Sequence, residues 1–254
     1  MLDVRAETWD TCDNPETMLD LVWEKVSLRK LRLFGLACCR RVAHLIDDES
    51  MSVPRLLELA EANADGLAGD AEMRAARSQL QLSQSWASRR EKQPPPNKLR
   101  QIRASGFAID AFADIFGLLP RQCDLYPPYP LPDDPDWILG SDVLEDARLA
   151  CAWSAPASQQ EEAFAAEGAL QAQLVREIIA NPFRPVVLAV AWLTRDAVAI
   201  AHEIYDERRF GDMPILADAL EDAGCKDPTI LDHCRQSGQH VRGCWLIDTL
   251  TGKS

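Results

Sequence analysis

A chain of 254 residues, 47% hydrophobic and 26% charged, is long enough to bury its own core without disulfides or a metal to hold it together. Its formal net charge of -13 argues against general attraction to nucleic acid or to an anionic membrane surface, because such binding is driven by surplus Lys and Arg. Neither a nucleic-acid nor a membrane partner is expected. The start, MLDVRAETWDTCDNPET, lacks the basic region and apolar run of a secretory signal, and no stretch approaches ~18 consecutive apolar residues. A soluble, cytoplasmic protein is the expectation. In that compartment the eight cysteines stay reduced and serve as core residues, ligands or reactive groups.

Helical spacing recurs in nearly every long segment and alternating β-branched runs are scarce, so the chain reads as all-α and multi-helical. Asn14 followed by Pro15 is a helix start, with Met18, Leu21 and Val22 on one side. Ser27 caps a second helix from about 28 to 46. There Leu28, Leu31, Phe34, Gly35, Cys38, Val42 and Leu45 form a core stripe. Cys39 points about 100° away from that stripe, which argues against a paired-thiol device, and core packing is the reading for these cysteines. His44 reads as a surface residue, and the basic run containing Arg29, Lys30, Arg32, Arg40 and Arg41 as a solvated face that pairs with acids.

Further starts are expected near Pro54, Asp70 and Asn97. The prolines from Pro120 to Pro135 then exclude regular helix and favour an extended segment, in which Tyr126 and Tyr129 pack down. This divides the expectation into an N-terminal helical unit (1–119), a Pro-rich connector (120–140) and a C-terminal helical unit (141–254), the two units being packed helical bundles. Within the last, NPFRPV makes a rigid corner where Arg184 either meets an anion or satisfies helix-end carbonyls. Thr194, Asp212 with Pro214, and Asp227 with Pro228 open three compact helices, and Gly224 closes the second of them.

These helices gather AGCKDPTILDHCRQSGQHVRGCWLID, with three cysteines and two histidines. If the last helix begins near Val241, then His240, Cys244 and Asp248 lie one turn apart on one face. Cys225, His233, His240 and Cys244 supply the four N and S ligands that a tetrahedral structural zinc takes. Against this, no CxxC knuckle is present, and Cys225 and His233 bracket a short helix. The alternatives are plain core packing of Cys225, Cys234 and Cys244 beside Trp245, or a catalytic set with Cys244 as thiolate, His240 as base and Asp248 or Asp232 as the orienting carboxylate. No oxyanion-hole or phosphate-loop signature accompanies that set. The terminal TGKS lacks the spacing of a phosphate-binding loop.

The N-terminal TCDNPETMLDLVWEKVSLRKLRLFGLACCRRVAHLI, the NPFRPV corner and the C-terminal run from YDERRFGDMPILADALEDAGC to HVRGCWLIDTLTGK resemble an uncharacterised family of bacterial proteins that often occur as several paralogues in one genome. The resemblance implies a folded, self-contained protein and carries no activity or site residue with it. From the residues themselves, a non-enzymatic interaction or regulatory module with a protein partner is expected. A thiol- or metal-dependent enzyme acting at the C-terminal Cys/His cluster is the alternative.

Overall fold

The computed structural model describes residues 4–22, 25–47, 51–95, 97–115 and 142–253. Among them are twelve helices and no strand: α1 Val4–Thr11, α2 Pro15–Asp20, α3 Leu28–Val42, α4 Val53–Ala64, α5 Asp70–Lys92, α6 Leu99–Ile115, α7 Asp142–Ser154, α8 Gln160–Ile178, α9 Arg195–Glu207, α10 Met213–Asp222, α11 Pro228–Arg235 and α12 Trp245–Thr251. The fold is all-α. Several starts follow from side chains that satisfy otherwise orphaned backbone N–H groups. Asn14 accepts from the Thr17 N–H at 2.9 Å, Ser27 from Lys30 at 3.4 Å, Thr194 from Ala197 at 3.3 Å, and Asp227 from Thr229 at 2.8 Å. The Pro-rich connector, with Tyr126 and Tyr129, lies outside the described residues. No helix among the described residues is long and apolar enough to cross a membrane.

Buried apolar residues form two clusters. The larger runs from Trp9 to Ile178 and also takes in Val241, while the smaller runs from Ala197 to Leu250. Although α7 and α8 follow the Pro-rich segment, they pack with α3 and α6 in the larger cluster. The smaller core is built by α9 to α12 and the turns between them, with Ala180, Val186, Leu188 and Trp192 of the preceding segment packed against it.

Helix α3 is central, in contact with α4, α6, α7 and α8. That placement buries more than the single stripe read from its spacing: Cys38 and Cys39 are both fully buried, and the Cys39 thiol meets the Ala111 carbonyl at 3.3 Å. His44 is exposed. Arg29, Lys30 and Arg41 are engaged with the rest of the molecule, Arg41 gripping Glu167 at 2.7 and 2.9 Å, while exposed Arg40 pairs with Glu61 at 2.7 Å.

Two basic residues of α3 join the cores. Arg29 donates to Asp248 at 2.7 and 3.2 Å and to Asp65 at 2.9 Å, and Lys30 reaches Asp248 at 2.6 Å. Tyr205 completes this group, accepting from Arg29 at 2.7 Å and donating to Asp65 at 2.6 Å. Lys30 also donates to the carbonyls of Ile178 at 3.0 Å and Gly243 at 2.6 Å, which ties the end of α8 and the loop before α12 to α3. At the NPFRPV corner, Phe183 stands edge-on to Trp9 with ring centroids 6.4 Å apart. Arg184 pairs with Asp10 at 2.9 Å. The residue that satisfies carbonyls at the end of α1 is Arg176, which donates to Trp9 and Cys12.

Candidate metal centre

Four side chains, Glu177 and Cys244 buried and His233 and His240 partly so, meet beside the smaller core. Glu177 comes from the last turn of α8, His233 from the last turn of α11, His240 from the connection between α11 and α12, and Cys244 from the N-cap of α12. Each offers one ligand atom, and these atoms all lie within 4.8 Å of one another. His233 Nε2 is 3.2 Å from Cys244 Sγ and 3.6 Å from Glu177 Oε2, while His240 Nδ1 is 3.0 Å from Glu177 Oε1. A tetrahedral ion with bonds of about 2.1 Å has edges of about 3.4 Å. The group can therefore hold a metal ion with small movements.

Local backbone geometry explains why these side chains converge. α12 begins at Trp245, not near Val241, so His240 is not one turn below Cys244 on a common helix. Instead the chain turns at Gly243, whose φ is +95°, a conformation that costs other residues about 1–2 kcal/mol. A Cβ there would lie 3.1 Å from Leu33 Cβ and Cδ1, so the glycine also permits close approach to α3. The bond from Lys30 to the Gly243 carbonyl holds that approach, and Cys244 is turned inward.

Of the sequence-predicted ligands, His233, His240 and Cys244 are brought together and Cys225 is not. Gly224, with φ +89°, ends α10, and the Cys225 N–H bonds to the Leu220 carbonyl at 2.9 Å. This αL turn locks Cys225 into the smaller core. The fourth position of the group belongs to Glu177, which spacing within the C-terminal stretch could not reveal. Its signal was an acidic residue beside Leu174 and Ile178 on the buried side of a helix. Asp248, considered as an orienting carboxylate, is committed to Arg29 and Lys30.

Electrostatics at the site favour a ligand role over a reactive one. Burial pushes His233 down to about 4, outweighing the opposing pull of Glu177, so the ring is neutral near pH 7 with a lone pair to give. Burial also drives the Cys244 thiol well above its usual range, and Glu177 adds to the effect. Such a thiol is not a nucleophile at neutral pH, but a bound cation would deprotonate it. His233 Nδ1 is 3.2 Å from the Gln236 amide nitrogen. Turning that amide places its oxygen against the ring, where it accepts Nδ1–H and leaves Nε2 to the ion. Trp245 and His240 pack on the His233 ring at centroid distances of 4.9 and 5.0 Å and restrict its rotation.

No protein-family profile, curated protein or solved structure matches this chain.

Proposed function

We propose that this protein is a non-enzymatic helical interaction module whose two cores are pinned together by a structural zinc ion on Glu177, His233, His240 and Cys244. The observation that carries the reading is the convergence of one ligand from α8 with three from the smaller core. An ion there crosslinks the two cores. Charge supports the choice of a divalent cation: one dication, one thiolate and one carboxylate sum to zero, with two neutral imidazoles, which removes the cost of burying net charge. The mixed N, S and O donor set suits zinc, and four protein ligands leave no position for a reacting water. Full burial of Cys244 disfavours a thiol enzyme for the same reason, since substrate must reach the sulfur. A protein partner with a basic surface suits the chain's net charge of -13.

Elemental analysis of protein purified without added chelator tests this reading. About one zinc per chain is expected in wild type and in Cys225→Ser, and loss of the ion in Glu177→Gln and Cys244→Ser. Retention in those two variants, or a metal-free wild type that binds no added zinc, would refute it.

A further inference from the structure

A second polar site lies at the seam between the cores. A cleft of about 130 Å³ is lined by Leu33, Ala37 and Arg40 of α3, Glu61 of α4, Arg208 and Phe210 after α9, and the segment from Gln239 to Arg242. Three guanidiniums thus share one carboxylate. Arg40 reaches Glu61 Oε1 at 2.7 Å, Arg208 pairs with Oε2, and Arg242 stands 3.7 Å from Oε2. Among its guanidinium and carboxylate groups the lining carries three positive charges against one negative, a surplus of two. Exposed Glu58 of α4 acts on Arg208 from outside this lining. Such a surplus is notable in a chain whose net charge is -13.

Hydrogen bonding is incomplete on the same wall. Arg242 Nε and His240 Nε2 are both buried and without a hydrogen-bond partner, although buried polar atoms are almost always satisfied. The Arg242 guanidinium lies 4.5 Å over the Tyr205 ring, which fixes its plane. Arg208 is held with φ at +57°, a left-handed conformation that a non-glycine residue adopts at a cost. The backbone carries that strain at a position where the side chain meets the cleft.

We infer that this cleft binds a phosphoryl group, either free phosphate or the head of a small phosphomonoester. A tetrahedral dianion neutralises the surplus of two, fits the volume, and offers acceptors for Arg242 Nε and for the forked N–H groups of Arg40 and Arg208. His240 contributes when its Nδ1 is on a metal, because the remaining proton then sits on Nε2. The guanidiniums do not require the metal, so the inference stands apart from the zinc reading. Neighbouring Phe210 and Val241 would meet the carbon side of an ester.

The test is calorimetric titration of the purified full chain with inorganic phosphate at fixed ionic strength. Phenyl phosphate and acetate serve as separate arms. Saturable binding of one phosphate per chain is expected, weakened at least tenfold in both Arg208→Gln and Arg242→Gln and unchanged in Arg235→Gln, a surface arginine paired with Asp218 and Glu221. Tighter binding of phenyl phosphate identifies an ester as the ligand, and equal or weaker binding identifies free phosphate. If either variant does not fold, thermal protection of wild type by phosphate over equal ionic strength of chloride carries the same test. No saturable binding or protection in wild type, affinity unchanged in folded Arg208→Gln and Arg242→Gln, or acetate binding as tightly as phosphate would overturn the inference.

Discussion

Replacing Asp248 by Asn removes one charge from the group that joins the cores while keeping the side chain's shape. In the native protein two cations, Arg29 and Lys30, face two carboxylates, Asp65 and Asp248, with Asp248 only 1% exposed. The variant leaves one uncompensated positive charge. Removing one partner of a buried pair costs about 3–5 kcal/mol. For a chain of this size that corresponds to a fall in Tm of about 6–20 °C. The loss should depend on pH in a defined direction. Burial already lowers Lys30 below its usual 10.5, and Asp248 is the group that opposes this. Without Asp248 the folded-state value drops further. Between that value and 10.5 the unfolded chain then binds a proton that the folded chain does not, so stability rises with pH. Thermal unfolding of the zinc-saturated variant across pH 6–9 should show a steeper positive slope than wild type. A loss under about 1 kcal/mol, or a slope no steeper than wild type, would refute the account of this group.

Gly243→Ala should destabilise by about 1–3 kcal/mol, because it meets both the positive φ and the 3.1 Å approach to Leu33; denaturant unfolding measures it, and zinc affinity should fall with it. In metal-free protein, the stability that keeps His233 neutral is present above pH 6.5 and lost as pH falls towards about 4. The full effect is about 3 kcal/mol, and His233→Gln should abolish that part of the acid limb.

Local chemistry was legible in the sequence where it acts through neighbours. Asn14, Ser27, Thr194 and Asp227 each cap the helix expected of them, because a cap needs only the following two or three residues. Cys38 and Cys39 are both core, as read, and Cys39 is buried although it stands off the stripe because a stripe describes one packed face, whereas α3 is enclosed by four helices. Three site residues were legible as ligand types close together in the chain. Cys225 was not separable from them by spacing, since its direction depends on the αL turn at Gly224. Glu177 enters from a helix 56 positions before His233, a tertiary contact that local periodicity does not encode.

The most direct test of the central claim is X-ray absorption at the zinc edge of purified protein. The ligand set Glu177, His233, His240 and Cys244 requires one sulfur near ~2.3 Å and three nitrogen or oxygen neighbours near ~2.0–2.1 Å. Two sulfur neighbours would bring Cys225 back as a ligand in place of Glu177. A six-coordinate shell of nitrogen and oxygen alone would contradict the buried crosslink between the cores.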